Sequence, residues 1–225
     1  MLLSTALDLR PSPDSTPVVA FIGAAGKTGL LLRLGEEMAA AGRQVLFTST
    51  GSLPAELVNR VPFSLLTPVL SVVLFELPTS LRGYRLVLVA NGPADAEGRL
   101  AGLSPQVVCR LAGLPDVDAA LVEAGEGYQP PESGQPLPPC TTHLVTVVDL
   151  ADHRLPPAPP AAPADVAWFL YLDLGPAGSR SDAQAAAQSL ARSALDRAWP
   201  TPLRGVLIGR AADPDPVAEV MRPRR

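Results

Sequence analysis

The sequence predicts an α/β sandwich around a mostly parallel sheet. Three observations carry this expectation. Short aliphatic runs without polar alternation recur along the chain, as strands buried on both faces require. Helical patterns separate these runs, which is how parallel strands are connected. The first run, Val18 to Ile22, passes through a glycine-rich turn directly into a helical pattern.

The elements follow in order. Residues 1–17, with Pro11, Pro13 and Pro17, read as a flexible N-terminal lead. Val18 to Ile22 reads as a buried strand. From Thr28 to Ala41, Leu31, Leu32, Leu34 and Met38 alternate with Arg33, Glu36 and Glu37 at helical spacing, and Gly42 is placed to end the helix. Val45 to Phe47 is a second short strand, and a right-handed crossover makes it parallel to the first. The apolar run from Phe63 to Leu77 contains Pro68 and Glu76. It is too short and too interrupted to span a bilayer and reads as core. Arg85 to Ala90 is a third strand. Leu103 to Leu111 is a helix opened by Ser104 and Pro105, a capping residue followed by a proline in the first turn. Asp118 to Glu123 and Leu144 to Val148 are strands, the former ending in a carboxylate. A proline-rich excursion occupies 155–164, since such a segment cannot enter a sheet interior. Val166 to Leu172, Ser181 to Ala198 and Leu203 to Ile208 then read as strand, helix and strand. The domain spans 18–212, and 213–225 is a polar tail in which Val217, Val220 and Met221 are the residues able to dock.

Composition narrows the function. Of 225 residues, 47% are hydrophobic but only 4% aromatic, so the core is aliphatic. Acidic residues outnumber basic ones by 22 to 18, and the arginines are scattered, which argues against a nucleic-acid partner. No segment has the layout of a membrane span or a secretory signal. Cys109 and Cys140 alone make no disulfide framework, so the expected location is the cytoplasm.

Of the 18 basic residues, Lys27 is the one lysine, and it stands in Gly23-Ala24-Ala25-Gly26-Lys27-Thr28. A loop that binds phosphate needs small residues, so that backbone N–H groups can turn inward, and a helix N-terminus behind them. It also needs a compact cation for the phosphates and a hydroxyl for Mg²⁺. Gly23, Ala24, Ala25 and Gly26 supply the small residues, Lys27 the cation and Thr28 the hydroxyl, with Gly29 next in line. A guanidinium is bulkier than an ammonium, which explains a lysine here in a chain otherwise reliant on arginine. The loop is two residues shorter than the common G-x-x-x-x-G-K-[ST] string. The expected fold is therefore a three-layer sandwich like that of P-loop NTPases, with ATP or GTP and Mg²⁺ as ligands. The other reading is a plain strand-to-helix turn with an exposed lysine.

Mg²⁺ also requires a carboxylate at the end of a neighbouring strand. Glu123 is the candidate, with Glu126 in reserve; the alternative is that Glu123 is the first solvated residue after its strand. Thr48, Ser49 and Thr50 end the second strand, where their hydroxyls serve either phosphate or ordinary turn geometry.

Several segments together resemble one family. Gly23 to Thr28 is similar to a G-A-G-G-K-T-T loop, and Thr48-Ser49-Thr50 to a threonine-rich second turn. Gly98 to Pro105 resembles G-K-L-x-G-x-x-P, Leu121 to Ala124 resembles L-V-E-A-D-G, and Pro138 to Val145 resembles P-x-x-T-T-H-V-V. These are segments of the selenium-dependent hydroxylase accessory proteins of the YqeC type. The likeness covers about 18–150. It implies a bacterial P-loop nucleotide-binding protein linked to maturation of molybdenum-containing hydroxylases, with a hydroxylase or its maturation proteins as partner. In this sequence Gly29 replaces the second threonine and Gly125 the aspartate of E-A-D. Leu172-Asp173-Leu174 stands where a base-reading N-K-x-D-like string often occurs. These departures leave open a non-hydrolysing scaffold beside a weak or partner-stimulated NTPase. An ATP-dependent ligase, suggested by the short loop, would need a second lysine that the chain lacks.

Other residues carry two readings. Cys140 and His143 form C-x-x-H without two further ligands; His143 alone is a candidate base or a structural residue. Asp149 and Asp152 reach the sheet edge as ligand contacts or as loop acids. Arg180, Arg192 and Arg197 read as a solvated helix face.

Overall fold

The computed structural model describes residues 1–9, 16–23, 26–125, 137–152, 155, 165–175, 180–199, 201–213 and 215–223. Two aliphatic cores lie on opposite faces of one sheet. Nine strands form it, in the order β11-β10-β9-β8-β1-β7-β2-β5-β4. They are β1 (Val18–Gly23), β2 (Val45–Ser49), β4 (Phe63–Leu66), β5 (Leu86–Ala90), β7 (Ala119–Glu123), β8 (His143–Asp149), β9 (Ala167–Asp173), β10 (Leu203–Gly209) and β11 (Val217–Met221). Every pairing is parallel except β10 with β11. Two further strands, β3 (Ser52–Pro54) and β6 (Arg99–Ala101), form a small antiparallel ribbon. The predicted α/β sandwich is the observed one.

Strand parity sorts the side chains. Val18, Ala20 and Ile22 of β1 face one core, and Val19 and Phe21 the other. The first core is covered by α3 (Leu70–Tyr84), α4 (Pro105–Ala112) and α5 (Arg180–Asp196), through residues such as Leu77, Leu111 and Ala191. The second is covered by α2 (Lys27–Ala40) with Leu30, Leu31, Leu34 and Met38. Gly35 of α2 permits close approach, because a Cβ there would stand 3.0 Å from Leu86 Cδ1.

The strand after α2 is parallel to β1, as expected, but is not its neighbour: β7 lies between them and pairs with both. Local pattern sets the direction of a crossover, whereas the gap is filled by a strand about seventy residues further on. Pro78 lies inside α3, a residue that argues against a helix in the sequence. That helix turns Val73, Leu77 and Leu81 inward and leaves Val69, Val72 and Phe75 exposed, so the apolar run is core on one side only.

Both ends of the chain depart from expectation. The lead is not free of the domain over its first nine residues. Leu3–Ala6 form a short helix, α1, and Leu3, Ala6, Leu7 and Leu9 are buried. Each buried leucine contributes about 1.5–3 kcal/mol. Glu37 accepts hydrogen bonds from the Ser4 N–H and hydroxyl, and Arg222 donates to the Ala6 carbonyl at 2.8 Å. The prolines at 11 and 13 lie outside the described residues, as does nearly all of the 155–164 excursion. The tail adds β11 to the sheet edge, and the bonded strand buries Val217.

The cysteines are also a correction. Cys109 of α4 and Cys140, just before β8, form a disulfide with Cα atoms 5.6 Å apart. Two cysteines without a framework still bond when the fold brings a helix and a strand entry together. The bridge spans 31 residues, and in the chain-entropy account such a link contributes about 3–4 kcal/mol. Urea unfolding of a Cys109→Ser/Cys140→Ser variant is expected to show a stability loss of about that size relative to the oxidised protein.

Candidate phosphate-binding site

The site grows from the end of the central strand. Gly23 closes β1 at φ +102°, in the left-handed region, and a Cβ there would lie 2.2 Å from the Val147 carbonyl oxygen. Only glycine satisfies both constraints. Gly26 follows at φ +97° and forms the N-cap of α2, with no side chain capping the helix. In α4, by contrast, Ser104 accepts from the Val107 N–H. The helix that carries the loop thus leaves its first-turn donors to something other than a capping side chain, the arrangement that suits an anion. Ala24 and Ala25 lie outside the described residues.

Lys27 and Thr28 occupy the first turn of α2. Lys27 is only 5% exposed, and its Nζ donates to the Gly23 carbonyl at 2.8 Å, so the ammonium folds back over the loop. An expected exposed lysine would not behave this way. The Thr28 hydroxyl donates to Glu123 Oε2 at 2.6 Å. Glu123 is 8% exposed, so it is not merely the first solvated residue after its strand. Parity explains the meeting: Ala119 and Leu121 of β7 face α2, and Glu123 continues that face.

The same parity separates the threonine-rich turn into different roles. Of the two readings for Thr48, phosphate contact or ordinary turn geometry, the structure gives neither: Thr48 is fully buried and its hydroxyl donates to the Val89 carbonyl at 2.8 Å. It lies on the sheet face opposite α2, next to Leu46 in alternation. Ser49 is on the α2 side and donates to the Glu123 carbonyl at 2.8 Å. Thr50 Oγ1 is buried with no partner among the described residues, so it keeps hydrogen-bonding capacity beside Glu123. The Gly98 to Pro105 segment packs over this turn. A Cβ on Gly102 would fall 2.2 Å from the Gly51 carbonyl, and the Leu103 N–H donates to the Ser49 carbonyl.

His143 is not part of the site. It pairs with Val19 while Gly23 pairs with Val147, which places His143 four residues, or about 13 Å, from the level of the loop. Its neighbour Thr142 bonds both the N–H and the carbonyl of Val18, so the T-T-H string joins β8 to β1. Cys140 is committed to its disulfide, which removes C-x-x-H as a metal site. Asp149 caps its own turn through the Ala151 N–H. Glu126 and His153 lie outside the described residues. Gly125, where the family pattern has aspartate, adopts φ +78°. Leu172 is core, Arg192 is exposed on α5, and Arg197 is exposed just past its end.

Asp173, which the sequence marks only as the middle of the 172–174 string and not as a residue of the loop, closes β9. Its Oδ1 accepts from the Gly175 and Ala211 N–H groups, and its Oδ2 lies 3.3 Å from where a Cβ on Gly26 would stand. The signal available in the sequence was a carboxylate closing a buried strand, the same signal that singles out Glu123.

A central parallel strand, a glycine turn and a helix opening with Lys and Thr define the class: an α/β protein of P-loop architecture. Residues 19–153 match the family model described as YqeC protein, and the chain belongs to the YqeC family. No curated protein matches it in sequence. Among solved structures it is similar to chloroplast FtsY from Physcomitrella patens, at 13% identity and TM-score 0.45, over 97% of this chain and 65% of that one. FtsY from Mycoplasma mycoides gives 14% and 0.46, over 96% and 70%. The Elizabethkingia anophelis receptor FtsY in complex with GDP gives 11% and 0.46, over 97% and 66%. The chain spans about two thirds of the length of these neighbours.

Two outcomes are expected at the glycines. Gly23→Ala destabilises the protein strongly, whereas Gly29→Ala, whose Cβ meets only the Ala211 carbonyl at 3.8 Å, stabilises it by about 0.5–1 kcal/mol through helix propensity; denaturant titration reads both. A third concerns pH. Burial holds the His143 imidazole below its ordinary 6.5, with the nearby Asp8 charge opposing. The unfolded chain therefore binds this proton first, and stability falls as pH drops through 6.5. His143→Asn is expected to lose less stability than the parent over that interval.

Proposed function

We propose that this protein binds a nucleoside triphosphate, ATP or GTP, with Mg²⁺. The observation that carries the reading is the one lysine of the chain, buried and folded over the loop carbonyl of Gly23, one residue from a hydroxyl bonded to a strand-end carboxylate. Glycine-shaped backbone and an uncapped helix start supply the rest of a phosphate cradle.

The donor set suits Mg²⁺. Thr28 and Glu123 offer two hard oxygen donors within 2.6 Å of each other at one end of the sheet. When bound, Mg²⁺ neutralises charge on the terminal phosphate oxygens. Lys27 is placed to hold the phosphate chain, and the Ser49 hydroxyl and Thr50 N–H fix the backbone of Glu123. Among the described residues, no cluster of three metal-ligating side chains occurs, and His143 lies at the other end of the strands. These features favour weak or partner-stimulated hydrolysis. A non-hydrolysing scaffold is the second reading, favoured by Gly125 in place of a carboxylate. Family membership supports placing the protein in maturation of molybdenum-containing, selenium-dependent hydroxylases, in the cytoplasm and with one of those proteins as partner. Among the described residues no helix is long and apolar enough to cross a membrane.

Thermal shift with ATP, GTP and their diphosphates, with and without Mg²⁺, tests the reading. A ligand at a hundred times its dissociation constant adds about 2.7 kcal/mol. Lys27→Ala is expected to abolish the shift and Glu123→Gln to remove its Mg²⁺ dependence. An unchanged shift in Lys27→Ala overturns the proposal, and measured phosphate release that is lost in Lys27→Ala excludes the scaffold.

A further inference from the structure

The T-T-H string takes no part in the phosphate site, and its histidine lines a separate cleft. His143, Ala167 and Leu203 begin the adjacent parallel strands β8, β9 and β10, at the end of the sheet opposite the loop. Residues of α1 and of the segment after β11 border the same end. The cleft between them has a volume of about 1230 Å³, more than the roughly 300–1,000 Å³ of ordinary small-molecule sites.

Its charges are unbalanced. Arg204 and Arg222 line it against one carboxylate, that of Asp8. Arg222 donates to the Arg204 carbonyl at 3.2 Å and to the Ala6 carbonyl at 2.8 Å. Two carbonyls occupy two of the five N–H donors of a guanidinium and neutralise none of its charge. Among the described residues neither arginine takes part in an ion pair. The Phe169 ring backs Arg222, with the guanidinium carbon 5.3 Å from the ring centre, and so fixes where that charge stands.

The remaining lining suits a flat apolar group. The half-buried His143 ring lies parallel to Phe169 within 10°, with centroids 6.4 Å apart. Ala167 pairs with it across the strands, and Pro202 and Pro223 close the rim. His143 Nδ1 is 2.8 Å from the Thr142 hydroxyl, which leaves Nε2 as the ring nitrogen for the cleft. Burial holds this imidazole below its ordinary range, so near neutral pH it offers a hydrogen bond and a ring face rather than a charge.

We propose that this cleft is a second binding site, for a small organic anion with a carboxylate or phosphate head held by Arg204 and Arg222 and a flat apolar body packed against His143, Ala167 and Pro202. A guanidinium fork fits either head, and an aromatic face prefers a flat partner. The site lies at the other end of the strands from the phosphate loop and stands without the nucleotide reading.

Calorimetric titration of the full chain with benzoate, phenyl phosphate, acetate and inorganic phosphate tests it, in the parent and in Lys27→Ala, which silences the loop. In both proteins benzoate or phenyl phosphate is expected to bind about tenfold more tightly than the matching acetate or inorganic phosphate, because only the aromatic probes carry the apolar body. The tighter aromatic probe identifies the head group. Binding shifts the imidazole NMR signals of His143, identified by their loss in His143→Asn. Arg204→Gln and Arg222→Gln are each expected to weaken the aromatic probes about tenfold. Arg222 also ties α1 to the end of the chain. The exposed Arg204 side chain makes no hydrogen bond among the described residues, so Arg204→Gln decides the matter if Arg222→Gln does not fold. Equal affinity for the aromatic probes and the bare ions marks an adventitious ion only and overturns the inference. So do binding that disappears in Lys27→Ala, affinity unchanged in Arg204→Gln, and the absence of binding by either aromatic probe.

Discussion

The contact between Gly23 and Val147 governs the site. The end of the central strand passes so close to its neighbour that a Cβ would enter the Val147 carbonyl. The left-handed φ at Gly23 turns the chain away from the sheet, and a second left-handed glycine at Gly26 starts α2 without a capping side chain. Everything chemical depends on this. Lys27 can reach back to the loop carbonyl because it sits one residue past the turn, and Thr28 can reach Glu123 because α2 lies on the face toward which Glu123 points.

Strand parity is the second constraint. A strand places alternate residues on opposite faces, so adjacent hydroxyls at the end of β2 have unrelated duties. Thr48 donates to a carbonyl of β5 inside one core, and Ser49 donates to the backbone carbonyl of Glu123 on the other face. The same rule puts Glu123 and Asp173 on the α2 face, one on each side of β1, although fifty residues separate them in the chain. One carboxylate is bonded to a hydroxyl of the loop helix and the other to two backbone N–H groups. Identical chemistry at equivalent strand ends thus serves different purposes according to its neighbours.

Much of this was legible in the chain. The aliphatic runs at 18–22, 86–90, 119–123 and 144–148 are strands because uninterrupted apolar sequence is stable only with both faces covered. Ser104-Pro105 opens α4 because the hydroxyl caps the helix and proline fits its first turn. Lys27, Thr28 and Glu123 stand out as candidates from residue type and position at element ends, and the structure places them around one turn. Thr48 and His143 were not assignable this way. The face of a strand residue depends on which core each parity joins, and the level of His143 depends on the register of β8 against β1.

The sequence by itself determined the α/β class, the glycine turn, the helix with its lysine and the family, because these rest on local stereochemistry and short motifs. Only the tertiary structure decided that β7 inserts between β1 and β2, that Cys109 meets Cys140, that α1 and β11 seal the ends, and that Asp173 stands against the loop. Each of those joins segments distant in the chain. Their partners are chosen by sheet order, register and burial, which no local pattern encodes.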